Sequence, residues 1–139
     1  MVVFIDTNVV LDFFLEDRPK DREDAADKIF SFVAEEANEA VIADITIINF
    51  AYIAAKAKMD IKNVKDCINM MLELMTVVSA SSEILRKAAE SDNQDYEDEV
   101  QIQCAKEMAV SYIITADPGG FKNSPITAIS PIDFANLYC

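Results

Sequence analysis

Acids stand where an alternating strand–helix chain most readily builds a site. Asp6 directly follows Val2-Val3-Phe4-Ile5, and Asp117 lies two residues after the end of Tyr112-Ile113-Ile114-Thr115. Asp95 and Asp98 lie three apart ahead of an apolar helical run, hence on one face of its first turn. In open parallel sheets, ligands bind at the carboxyl ends of strands, where helix N-termini also converge. Four acids meeting in one cleft repel each other strongly unless a cation sits between them. Hard cations such as Mg²⁺ and Mn²⁺ take oxygen ligands, polarise a phosphoryl oxygen and lower the pKa of a bound water, which suits phosphodiester hydrolysis. Each acid also has a plainer role. A lone Asp after a strand caps a helix, an acid-rich first turn suits the helix dipole, and Asp117-Pro118-Gly119-Gly120 makes a turn. Singly these roles suffice; jointly, the placement at strand ends argues for a metal site.

Composition narrows the chemistry. The 139 residues include 25 Asp+Glu, 12 Lys+Arg and 0 His, for a formal charge of −13. Without His there is no Ser-His-Asp or Cys-His nucleophile system and no imidazole ligand. The charge repels nucleic acid and membrane surfaces at long range, so action on a polyanion requires an added positive charge, most simply a divalent cation. Cys67, Cys104 and Cys139 are odd in number and far apart, which argues against a disulfide framework and a thiolate zinc site. Cys67 and Cys104, set among helix formers, are expected as buried free thiols. The first apolar run is too short for a signal peptide, and Asp44, Asn49 and Lys56 interrupt the most apolar stretch, Ala40 to Ala57. A cytoplasmic protein with no membrane association is the expectation.

The elements that would position the acids follow from the pattern. Hydrophobic content of 52% excludes disorder, and 2 Gly with 4 Pro leave little material for the turns of an all-β sandwich. Short apolar strands are expected at Val2–Ile5, Ala40–Ala43, Thr76–Val78, Tyr112–Thr115 and Thr127–Ile129, with Asp6 or Asn8, Asp44, Ser81 or Ser82, and Ser130 as helix caps. A helix from Lys20 to Asn38 carries Ala25, Ile29, Phe32 and Val33 on one stripe. Continuous apolar strands separated by helical crossovers imply a three-layer α/β/α sandwich with a central parallel sheet of four to five strands, one domain over residues 1–139.

Four blocks resemble the PIN-domain nucleases, in family order and over nearly the whole chain. Val3-Phe4-Ile5-Asp6-Thr7-Asn8-Val9-Val10-Leu11-Asp12 resembles the family's opening strand and D-[TS]-[NS] turn. Asp95-Tyr96-Glu97-Asp98-Glu99-Val100-Gln101 resembles D-F-E-D-A-L-Q, and Tyr112-Ile113-Ile114-Thr115-Ala116-Asp117 resembles Y-I-[IV]-T-x-[ND]. Phe121 to Ile126 with Ser130 to Phe134 resembles the D-F-x-x-S-x-I-P-V-x-[ST]-P-E-E-F tail. The resemblance implies a Mg²⁺- or Mn²⁺-dependent ribonuclease, often the VapC-like toxin of a toxin–antitoxin pair. It implies Asp6, Asp98 and Asp117 as the catalytic, metal-binding acids, with Asp95 beside them. Thr7 and Asn8 would orient the first acid or the metal water, and Thr115 would hydrogen-bond across the site. The family's second acid, usually Glu, falls here on Asn49, which brings an amide oxygen but no charge.

Two functions therefore stand open: a metal-dependent endoribonuclease, and a catalytically weakened or inactive PIN-like module acting through protein binding. Two other enzyme classes fail on residues. A haloacid-dehalogenase-like phosphatase wants Asp-x-Asp where this chain has Asp6-Thr7-Asn8, and a phospho-receiver wants an acid where Ser79-Ala80-Ser81-Ser82 follows the third strand. The resemblance also implies an RNA substrate, an antitoxin partner and a homodimer. Arg18, Lys20, Lys56, Lys58 and Lys62 are candidate RNA contacts, with a solvated surface as the plainer role. Phe13, Phe14, Ile47, Phe50 and Tyr52 are candidates for a partner interface or simply for the core.

Overall fold

Val3 and Ile5 face one side of the first strand and Phe4 the other, and all three are fully buried. A strand buried on both faces must lie between two helical layers. The computed structural model, which describes residues 1–139, has that arrangement. Five parallel strands, β1 (Val2–Ile5), β2 (Glu39–Ala43), β3 (Met75–Val78), β4 (Tyr112–Ile114) and β5 (Ala128–Ile129), lie in the order β3-β2-β1-β4-β5. The strands match the sequence expectation to within a residue at each end.

Helices α1 (Thr7–Phe14), α2 (Lys20–Val33), α3 (Asp44–Lys56), α4 (Ile61–Leu74) and α7 (Pro131–Tyr138) pack with Val3, Ile5, Ala40, Ile42 and Ile114. Helices α5 (Ser82–Glu90) and α6 (Tyr96–Lys106) cover Phe4, Val41, Ala43 and Ile113 on the opposite face. The chain winds outward from β1 to β3, then returns to the other side of β1 for β4 and β5. The direction of winding therefore reverses between β1 and β4, and ligands of open α/β sheets bind at the crevice such a reversal opens. Asp6 extends the alternation of β1 beyond its last residue, on the same side as Phe4 and facing α6. Its backbone N–H donates to the Ile114 carbonyl at 3.0 Å, so the β1–β4 ladder continues into the site.

Several expectations are corrected. The α2 helix ends at Val33 rather than Asn38. Beyond Val33 the chain has no large apolar side chain to extend the buried stripe, and Asn38 turns its amide back to the Phe32 carbonyl at 3.0 Å. Cys104 is buried, but Cys67 on α4 is only partly so, because that helix lies over the sheet edge with its outer face in water. Phe50 is fully buried, while Phe13 stacks on Phe30 at 3.7 Å between centroids and Phe14 packs edge-on to both. Ile47 is partly buried against the same core. Of the candidate interface residues only Tyr52 is exposed, at 61%, with Ile48 one turn before it at 70%. No helix is long and apolar enough to cross a membrane.

Arg18 is not a free cation. The fully buried Asp12 accepts from Arg18 Nε and from Arg22 Nε, each at 2.8 Å, which fastens α1 to the start of α2 across the Pro19 break. Removing both arginines strands a buried carboxylate, whereas removing Asp12 leaves two guanidinium groups that already reach solvent. The double variant Arg18→Ala/Arg22→Ala should therefore lose about 3 kcal/mol in urea unfolding, and Asp12→Asn distinctly less.

Candidate functional site

Asp6 occupies the cap position of α1 but does not cap it; no side-chain cap bond is made. Its carboxylate, in a residue only 4% exposed, turns into the β1–β4 crevice. Gln101 Nε2 on α6 donates to Oδ1 at 3.0 Å and Thr115 Oγ1, just past β4, donates to Oδ2 at 2.8 Å. Both oxygens are fixed, by neutral donors only. Burial raises the Asp6 carboxyl above its usual range, against the lowering pull of Thr115, Gln101 and the Thr7 backbone. The Thr7 hydroxyl itself pairs with Thr46 at 3.0 Å, and Asn8 is exposed to solvent.

The start of α6 brings the next acids. Asp95 is its N-cap, its Oδ1 accepting from the Asp98 N–H at 3.0 Å, so here the plain capping role holds. That bond anchors the backbone of Asp98 and leaves the Asp98 side chain to project toward the turn Pro118–Phe121. Asp117 opens that turn, its Oδ1 accepting from the Gly120 N–H at 3.3 Å. A Cβ on Gly120 would stand 2.9 Å from Asp98 Oδ2 and 3.0 Å from Asp117 Oδ2. Both oxygens therefore lie close against Gly120, where any side chain would press on them.

Asn49 on α3 donates its amide to Glu97 Oε1 at 2.8 Å and makes no bond to Asp6, Asp98 or Asp117. Asp44 is the first residue of α3 rather than its cap. It reaches across to accept from the Ala80 N–H at 3.2 Å, tying the loop after β3 to β2. Sequence reasoning passed over Glu97 and Gln101. Their spacing carried the signal, since Gln101 stands three residues after Asp98 and four after Glu97, one helical turn from each.

Charge dominates this corner. Asp98 is raised from the usual 3.8 to about 7, by burial first and then by Asp95, Asp6, Glu97 and Asp117. Glu97 is raised by burial, then by Asp6 and Asp95, with the Asn49 bond opposing. The ion pairs lie elsewhere: Lys20 with Glu23 and Asp24, Lys62 with Asp66, Lys87 with Glu83, and the two arginines with Asp12. No cation of the chain pairs with Asp6, Asp95, Glu97, Asp98 or Asp117.

The donor set fits a hard divalent cation. Every donor is oxygen, Asp98 and Asp117 both lie close against Gly120, and Gln101 Oε1 beside Asp6 is buried without a partner. No three acids are closed around one point in advance. Magnesium-type sites ordinarily complete their coordination with water and substrate phosphate rather than a full protein cage.

A profile of the PIN domain matches residues 2–118. Among solved structures, the fold resembles that of VapBC2 from Rickettsia felis bound to a DNA fragment from their promoter. The TM-score is 0.68 at 15% identity, over 94% of this chain and 98% of that one. A toxin–antitoxin complex from Klebsiella pneumoniae gives a TM-score of 0.65 at 17% identity, over 93% and 97% of the two chains. FitAcB from Neisseria gonorrhoeae gives 0.63 at 15%, over 93% and 97%. At such identities the likeness is one of fold. No curated protein sequence matches the chain.

The raised carboxyls set the sign of the pH dependence. Asp6, Glu97 and Asp98 bind protons more tightly folded than unfolded, so their contribution to stability falls as pH rises from about 4 through about 7. In EDTA the melting temperature should be lower at pH 8 than at pH 5 by ~5 °C, the effect being damped by the partial exposure of Asp98. Asp98→Asn should remove much of that slope, and millimolar Mn²⁺ should raise the parent's melting temperature at pH 8. A melting temperature that climbs with pH in EDTA would contradict the assignment.

Proposed function

The chain belongs to the PIN domain family, and from that premise we propose that it is a single-domain, metal-dependent endoribonuclease, the toxin of a type II toxin–antitoxin pair. The observation that carries this reading is the gathering of Asp98 and Asp117 against Gly120 in a crevice where no cation of the chain pairs with them. Asp6, Asp98 and Asp117 are the residues that would hold Mg²⁺ or Mn²⁺. Bound there, the cation supplies neutralisation of the scissile phosphate and activation of water for attack.

The chain's own residues do the rest. Thr115 and Gln101 fix both oxygens of Asp6, so the first acid presents one rotamer. The Asp95 cap fixes the backbone of Asp98, and Gly120 keeps the space between Asp98 and Asp117 clear. Lys56 and Lys58, at and just beyond the end of α3, are cations without an acid partner and are the residues proposed to meet the RNA backbone. Lys20 and Lys62 are already paired with acids on their own helices. The exposed Ile48 and Tyr52 offer the apolar surface for an antitoxin or a second copy of the chain. Three free cysteines are in keeping with a reducing cytoplasm.

A second reading, a PIN-like module that binds a protein partner without cleaving RNA, is favoured by the uncharged Asn49 in the place of an acid. Cleavage decides between them. Purified chain incubated with structured RNAs, tRNA among them, should cut in Mn²⁺ or Mg²⁺ and not in EDTA. The double variant Asp6→Asn/Asp98→Asn, purified identically, should not cut. Absence of cleavage by both, with partner binding intact in the variant, would favour the binding module.

A further inference from the structure

Beside the acids, α3, α5 and α6 enclose a groove of about 230 Å³ that the reaction proposed above does not use. Ile45, Leu85, Tyr96 and Val100 line it, and its only polar members besides the Tyr96 hydroxyl are Asn49 and Glu97. Pockets for whole drug-sized ligands begin at roughly 300 Å³, so this one suits a single flat ring system. The Tyr96 hydroxyl donates to the Leu85 carbonyl at 3.0 Å, which holds the half-exposed ring on the α5 side. Resting on the nuclease reading above, we propose that this groove receives a guanine base of the RNA beside the cleaved phosphodiester, with Asn49 and Glu97 reading its edge.

The polarity of the free atoms selects the base. Asn49 Nδ2 donates to Glu97 Oε1 at 2.8 Å, which fixes the end of the amide that is nitrogen. Asn49 Oδ1 and Glu97 Oε2 make no hydrogen bond within the chain and can only accept, while Nδ2 keeps a second N–H to donate. Guanine matches that set, for its pairing edge carries two adjacent donors, N1–H and the N2 amino group, beside one acceptor, O6. Adenine, cytosine and uracil each offer a single donor group there. Unstacked RNA bases are read in this manner, lying on aromatic side chains with the pairing edge hydrogen-bonded. The lining holds no cation, so the groove suits the uncharged base and not the phosphate. It also adjoins the acid crevice: Glu97 neighbours Asp98, and Val100 neighbours Gln101, whose Nε2 donates to Asp6 at 3.0 Å. A base seated there belongs to a nucleotide next to the phosphate that the acids would face.

Binding is tested first without metal or cleavage. The isotopically labelled chain is titrated in EDTA with guanosine, adenosine, cytidine and uridine, neutral molecules that the acids do not repel, and followed by NMR. Guanosine should bind about tenfold more tightly than the others and shift the Asn49 side-chain amide with the Ile45 and Val100 backbone signals. Glu97→Gln puts a donor where an acceptor stood and should abolish that preference. Tyr96→Ala should weaken all four nucleosides alike, since every base has a face to stack. Glu73→Gln, an equal change of charge on α4, should alter neither. N-acetylarginine amide, a protein-like cation, should bind more weakly than guanosine; the reverse order would assign the groove to a protein partner and overturn the proposal. A guanosine preference that survives Glu97→Gln, with only the melting temperature lowered, would make the Asn49–Glu97 bond a structural tie and also overturn it. In Mn²⁺ the parent should cut RNA with guanine fixed at one position beside the cut. Metal-dependent cleavage without base preference, and no response of the groove to guanosine, would overturn the base site and leave the nuclease reading intact. Guanosine held in the groove of a chain that cuts no RNA would overturn the nuclease reading and keep the base site.

Discussion

A carboxylate buried at the end of a central strand has to be held in place, and Asp6 is held by two neutral donors, Gln101 from α6 and Thr115 from the end of β4. Neither cancels its charge. Around it stand Asp95, Glu97, Asp98 and Asp117, and burial together with their mutual repulsion lifts Asp98 to about 7. The chain has arginines able to neutralise a buried acid, but Arg18 and Arg22 both lie on Asp12, where they fasten α1 to α2. The crevice therefore carries an uncompensated negative charge that only protons or an outside cation can neutralise. Much of the local architecture follows from tolerating it: the Asp95 cap, the glycine at 120, and the amide of Asn49 turned toward Glu97.

The topology makes this concentration of charge possible. β1 lies at the centre of the sheet, with β2 on one side and β4 on the other, so the residues after β1 and β4 open onto the same gap. The two layers then contribute unequally. The α5/α6 side brings Glu97, Asp98 and Gln101 on one helix, while the opposite side offers Asn49 across the crevice. A single helix N-terminus thus supplies most of the site, and its dipole favours the acids it carries.

The sheet was legible because its strands are apolar on both faces and end at polar residues. Val2–Ile5 stops at Asp6 and Tyr112–Ile114 at Thr115, within a residue of where hydrophobicity alone places the boundaries. Helix ends were less legible, since the stop of α2 at Val33 depends on what lies beneath it, not on propensity. Among the candidate residues, Asp6, Asp95, Asp98 and Asp117 stood out by position. Glu97 and Gln101 did not, because their roles rest on contacts with Asn49 and Asp6 that are 48 and 95 residues distant in the chain. Asp12 was hidden for a different reason: Arg18 and Arg22 are only 6 and 10 residues away, but the Pro19 break between α1 and α2 conceals that both fold back onto it.

The central claim is that these carboxylates converge on a cation. It is met most directly by crystals soaked in Mn²⁺ and measured for anomalous scattering. An anomalous peak between Asp98 and Asp117, close to Asp6 and over Gly120, is the predicted result. No peak there at millimolar Mn²⁺, with the crevice open to solvent in the lattice, would contradict it.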